Sequence, residues 1–217
     1  MKILVTVQQD YQEGEANRSC KQVIGMRLFV AINFSPALKN VLAGLLEELR
    51  QLPAAVKWVP PENIHLTLKF LGEVAPARVE EIGAALRRAA AGINPWHLEV
   101  KGTGVFPGWR SPRVVWVGVE SEKPLYVLQQ QVTREYLELG FPAASFTPHL
   151  TLGRLRPGTA SGPLQDRLKS LAGVSWGREK VTAVSLMESS LTPRGAVYRP
   201  VLTVPLPAPD GAPSNEQ

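Results

Sequence analysis

The chain repeats one tetrapeptide whose side chains are suited to moving protons. His65-Leu66-Thr67-Leu68 recurs as His149-Leu150-Thr151-Leu152, and the two copies hold two of the three histidines. On a β-strand, side chains alternate between faces. His65 and Thr67 therefore project to one side while Leu66 and Leu68 enter the core, and His149 and Thr151 are set against Leu150 and Leu152 in the same way. An imidazole, with an ordinary pKa of about 6.5, serves as acid or base near neutrality. A hydroxyl donates to an anionic oxygen without adding charge. If the two strands share a cleft, two imidazoles and two hydroxyls meet there. That is a site for in-line attack on a phosphodiester, with one histidine deprotonating the nucleophile and the other protonating the leaving oxygen.

The elements that must position these groups alternate along the chain. Residues 27–32 (RLFVAI) read as a buried strand, and Ser35 and Pro36 open a helix over 37–52 with Leu38, Leu42, Leu45, Leu46 and Leu49 on one face. Residues 64–71 read as a strand ending at Gly72, followed by a helix over 77–91. Strands are expected at 96–100 and 113–119, then a helix over 124–139 closed by Gly140. After the second tetrapeptide come a short helix near 164–171 and two strands near 180–187 and 197–204. The sum is an α+β domain.

Composition narrows the function classes. At 217 residues and 44% hydrophobic, the chain suits one globular domain with a core of its own. No apolar run approaches the roughly 20 residues of a membrane helix. The single cysteine, Cys20, permits no internal disulfide, which fits a reducing cytoplasm. A net charge of +5 is compatible with an anionic ligand without identifying one. No histidine pair has zinc-helix spacing, so no metal centre and no cofactor are expected. Gly102 and Gly104 do not extend to a phosphate-binding loop.

The stretch 56–74 (VKWVPPENIHLTLKFLGEV) closely resembles the first motif of RNA 2′,3′-cyclic phosphodiesterases, historically called 2′-5′ RNA ligases, of the two-histidine phosphoesterase superfamily. Residues 27–32, 112–118 (PRVVWVG), 148–154 (PHLTLGR) and Glu188-Ser189-Ser190, followed by Gly195 and Tyr198, match in the same order and extend the resemblance over roughly 26–206. It implies a two-lobed pseudo-twofold duplicated fold, with antiparallel-rich sheets lining a central cleft, helices outside and one motif per lobe. It also implies cleavage of a 2′,3′-cyclic phosphate on RNA or a nucleotide to a 2′-phosphomonoester, with His65 as proton donor and His149 as acceptor. Thr67, Thr151 and Arg154 would then bind the phosphate, since a guanidinium suits phosphate oxygens.

Three further expectations follow. Lys57, Lys69, Arg110, Arg113 and Arg156 could line a basic approach for RNA, and Phe70, Phe106 or Trp109 could stack on a base, whereas His97 reads as an ordinary strand residue. The same site could run 2′-5′ ligation in reverse, limited by equilibrium, or could be a non-catalytic nucleotide-binding module. No protein partner is implied, and a monomer is expected.

Residues 1–25 lack periodicity and have no counterpart in the resemblance, so Met26 is expected to open the domain, with a loose tail over 207–217. A chain starting at Met26 should therefore fold and keep its activity. Insolubility or loss of turnover in that shortened chain would make the leader structural.

Overall fold

Serine, proline and leucine set the first helix as the sequence requires. In the computed structural model, which describes residues 25–158, 161–193 and 195–207, α1 (Pro36–Arg50) has Pro36 in its first turn. Ser35 caps it, Oγ accepting from the Leu38 amide at 3.3 Å. Its five leucines Leu38, Leu42, Leu45, Leu46 and Leu49 are all buried. Before it runs β1 (Met26–Asn33) and after it β2 (Val56–Trp58), β3 (His65–Val74), α2 (Val79–Ala90) and β4 (Trp96–Phe106). The second half follows with β5 (Val114–Ser121), α3 (Lys123–Glu138), β6 (His149–Leu155), α4 (Gly162–Ser170), β7 (Ser175–Val181), β8 (Ala183–Thr192) and β9 (Gly195–Pro205).

Four elements differ from the sequence expectation, the strand expected at 96–100 running on as β4 to Phe106. The strand near 180–187 is the end of β7 and the start of β8, which meet at Thr182. β2, only three residues long, is an additional strand. β3 continues past Gly72, whose φ of 75° lets the backbone bend there without ending the strand. Residues 1–24 and 208–217, which include Cys20, lie outside the described residues.

All nine described strands join one antiparallel sheet in the order β7-β4-β5-β6-β3-β1-β8-β9, with β2 on the far part of β6. The order divides into two matching halves, β6-β5-β4-β7 and β3-β1-β8-β9. β4 follows the first helix pair yet lies beside β5, and β8 follows the second pair yet lies beside β1. One half, β6-β5-β4-β7, thus comes from a single continuous stretch of chain, whereas the other joins β1 and β3 from its start to β8 and β9 from its end.

The halves meet where β3 pairs with β6, through a bridge between Leu66 and Leu150. These are equivalent positions of the two tetrapeptides, and they face each other in antiparallel strands. A local twofold axis therefore passes through the bridge. Leu66, Leu68, Leu150 and Leu152 join the main core with the leucines of the helices. β1 shows the same division of faces: Leu28, Val30 and Ile32 belong to that core, whereas Phe29 and Ala31 form a small cluster with Met187 and Tyr198 on the other face.

Gly104 is a packing residue and not part of a phosphate loop. It pairs across strands with Trp116, and a Cβ at Gly104 would lie 2.2 Å from the indole ring. Gly102 is constrained differently, with φ 70° and the Ala172 carbonyl 2.5 Å from any added Cβ. Gly104→Ala should displace the Trp116 ring and cost about 1–3 kcal/mol of stability, the usual range for overpacking. A lowered denaturation midpoint, partly restored by adding Trp116→Val, is the expected result. An unchanged midpoint would show that the ring has room to move.

Candidate active site

His65 and His149 each open a strand, and each is oriented by the backbone just before it. His65 Nδ1 lies 2.7 Å from the carbonyl of Asn63, and His149 Nδ1 lies 2.7 Å from the carbonyl of Thr147. A carbonyl only accepts, so both rings carry their proton on Nδ1, and Nε2 is the nitrogen free for chemistry. The first turn is itself tied down: the Asn63 side chain donates to the Ala196 carbonyl of β9 at 2.8 Å.

Both rings are held by aromatic neighbours. Phe29 lies 4.8 Å and Tyr198 5.1 Å from the His65 ring, the latter edge-on. Phe106 meets His149 edge-on at 4.9 Å and rests in turn on Trp116 at 5.2 Å. Packing of this kind restricts ring rotation without supplying a competing hydrogen bond.

His65, His149, Thr67, Thr151 and Arg154 all line one cleft of about 460 Å³. The two threonine hydroxyls are not engaged by any described protein group. Arg154 reaches the cleft because of a register break. Strict alternation from Thr151 would turn it toward the core, but between Thr151 and Gly153 the pairing with β5 slips by one residue. Arg154 is exposed on the cleft side and Leu155 is buried. β3 has the equivalent slip between Thr67 and Lys69, which brings Phe70 to the matching place with 71% of its surface exposed.

The cleft carries positive charge. Arg27, Lys69 and Arg154 line it, and no Asp or Glu is among its lining residues. Among the described residues no three His, Cys, Asp or Glu side chains converge where a metal ion could be held. A second cavity of about 210 Å³ lies on the other side of His65 and includes Lys39, whose Nζ donates to the Glu62 carbonyl at 2.8 Å. Burial, above all, holds the His65 pKa below the ordinary imidazole value, and Lys39 and the coupling to the His149 ring push it the same way. The bond to the Asn63 carbonyl opposes them only in part.

Of the other residues singled out in the sequence, His97 is exposed on β4 opposite Lys180, away from the cleft. Trp109 lies outside it, beneath Lys169 Nζ at 5.4 Å. The two carbonyl acceptors had no signal in the sequence, because any residue type supplies a backbone oxygen. Lys39, 26 positions before His65, was equally silent.

The family model described as LigT like Phosphoesterase matches the chain twice, over residues 32–116 and 117–198. The chain is 36% identical over 174 residues to an RNA 2′,3′-cyclic phosphodiesterase of Methanothermobacter thermautotrophicus, covering 80% of this chain and 95% of that one. A protein of the same description from Thermotoga maritima is 34% identical over 177 residues, covering 80% and 92%. Among solved structures, a Thermus thermophilus protein superposes with TM-score 0.69 at 28% identity, covering 84% and 99%. E. coli LigT complexed with 3′-AMP superposes with TM-score 0.69 at 26% identity, covering 84% and 98%.

The surroundings of His65 make a titration prediction. Burial and like charge disfavour its protonated form, so the ring should stay neutral as pH falls through about 6.5 and take up its proton only below that. Imidazole ¹⁵N shifts followed against pH should show this, with the Nδ1–H tautomer in the neutral ring. Lys39→Met removes one repelling charge and should raise the pKa while leaving it below 6.5, because burial remains. A His65 midpoint above 6.5, or no response to Lys39→Met, would contradict this electrostatic picture.

Proposed function

The chain belongs to the LigT-like phosphoesterase family, and on that premise we propose that it hydrolyses 2′,3′-cyclic phosphates at RNA or nucleotide ends to 2′-phosphomonoesters without a metal ion. The observation that carries the reading is the matched pair of imidazoles, each with Nδ1 bound to a carbonyl and Nε2 left for the cleft. The name borne by its relatives supports the same reaction.

His149 Nε2 takes a proton from water as the water oxygen bonds to phosphorus. The bond from phosphorus to the 3′ oxygen breaks, and His65 delivers its Nε2 proton to that oxygen. One proton is gained by His149 and one lost by His65, and exchange with solvent restores both. The bound phosphate anion favours imidazolium at His65, opposing the burial and the Lys39 charge that depress it in the free protein. A depressed pKa also makes the protonated ring the stronger acid toward an alkoxide. Thr67 and Thr151 donate hydrogen bonds to the non-bridging oxygens, and Arg154 balances the charge that develops at five-coordinate phosphorus.

The test is incubation with 2′,3′-cyclic AMP in EDTA, with product identified by ³¹P NMR. The expected product is 2′-AMP. A 3′-AMP product would exchange the roles of the histidines, and activity lost in EDTA but restored by a divalent ion would overturn the metal-free mechanism. Binding without turnover would leave a nucleotide-binding module. His65→Ala and His149→Ala should each lower kcat by about 10²–10⁴, the range for losing one acid–base group. Thr67→Ala or Thr151→Ala should cost less, since the proton transfers survive. Full activity of either histidine variant would refute the assignment.

A further inference from the structure

Beyond Arg154 the surface carries cations that nothing described in the protein neutralises. Three segments adjoin there: 53–61, which includes β2; 107–119, the β4–β5 loop and most of β5; and 149–158, which includes β6. They contain Lys57, Arg110, Arg113, Arg154 and Arg156 but no Asp or Glu. All five side chains are exposed, and none forms an ion pair among the described residues.

The backbone holds Lys57, Arg113, Arg154 and Arg156 close together. Lys57 and Arg154 are direct partners in the antiparallel pairing of β2 with β6, so their side chains share one face of the sheet. Arg156 follows two residues after Arg154, and its amide donates to the Ala55 carbonyl at 3.1 Å, continuing the line of β2 and β6. On the other flank, the Leu155 amide donates to the Arg113 carbonyl at 2.9 Å. Like charges directly opposite in a sheet are unfavourable. Such an arrangement without a carboxylate is relieved when a polyanion lies over it.

At the His65 end of the cleft carboxylates are interspersed among the cations, and Glu62 acts on Lys39. There Arg27 pairs in register with Glu73, and Arg199 with Glu188. The stretch of cations without a carboxylate leaves the cleft along β6. From Thr151 through Arg154 to Arg156 it follows the strand, rising about 3.3 Å per residue, which carries it past the reach of a single bound phosphate.

We propose that this ridge binds the phosphodiester backbone of single-stranded RNA immediately 5′ of the cyclic-phosphate end, so that oligonucleotide ends and not free nucleotides are the preferred substrates. The inference rests on the phosphodiesterase reading above for the group held in the cleft. A base-paired end would have to open to enter a cleft of about 460 Å³, so the last nucleotides are single-stranded. Backbone contacts of this kind are indifferent to base sequence and sensitive to salt.

The experiment compares 2′,3′-cyclic AMP with a six-nucleotide RNA ending in a 2′,3′-cyclic phosphate, using the full-length protein and its Lys57→Gln, Arg156→Gln variant. Both changes are at exposed positions, and an unchanged melting curve checks the fold. The ratio of kcat/KM for the oligonucleotide to that for the mononucleotide should exceed one. It should fall at least tenfold in the variant, mainly through KM. The salt dependence on the oligonucleotide should lessen by about 0.7 in logarithmic slope for each phosphate contact removed.

If the protein turns over the mononucleotide but the ratio is unaltered in the variant, the ridge proposal is overturned and the phosphodiesterase reading stands. If neither substrate is turned over, that reading fails. Fluorescence anisotropy of the same RNA with a plain 3′-phosphate then decides the ridge separately. Salt-sensitive binding weakened in the variant supports it, and binding that is absent or equal in both proteins overturns it.

Discussion

The Leu66–Leu150 bridge is the contact on which the site depends. Because the two leucines hold the same place in their tetrapeptides, antiparallel pairing at that point relates everything near it by a twofold operation. The leucines enter the common core, so each neighbouring histidine and threonine must turn to the opposite face. A slip of one residue in this pairing would invert a strand and send one histidine into the core. Deep burial of Leu66, Leu68, Leu150 and Leu152 therefore specifies the chemistry as well as stability.

Symmetry alone would give two interchangeable histidines, whereas the proposed reaction needs an acid and a base that differ. The structure breaks the equivalence in what surrounds each ring. His65 has Tyr198, Phe29 and a nearby Lys39, and burial depresses its pKa. His149 has Phe106 braced by Trp116, which needs Gly104 to make room. Five residues after each histidine the same register break presents a different side chain, Phe70 on one side and Arg154 on the other. A guanidinium thus stands in one half where the other presents an exposed ring.

The parts legible in the sequence were those set by local periodicity. The repeated tetrapeptide gave the faces of β3 and β6, and Ser35, Pro36 and the leucine spacing gave α1. The strand near 180–187 was misplaced because the apolar pattern runs through Thr182, where β7 ends and β8 begins. β2 is too short to show a period, and its existence depends on β6 being there to pair with. Arg154 was found by resemblance alone. Alternation counted from Thr151 points it inward, and only the register break in the folded sheet turns it to the cleft. The carbonyls of Asn63 and Thr147 were invisible for a simpler reason, since hydrogen bonding to the main chain leaves no trace in residue type.

The central claim is that two imidazoles from the two halves act on one phosphate. Titration with inorganic phosphate, followed through the ¹⁵N resonances of both histidine rings, tests it without relying on turnover. Both Nε2 signals should move together with a single midpoint, and neither should respond when the other ring is replaced by a side chain that abolishes binding. Movement of only one ring, or two separate midpoints, would mean that the histidines serve different sites and would contradict the account.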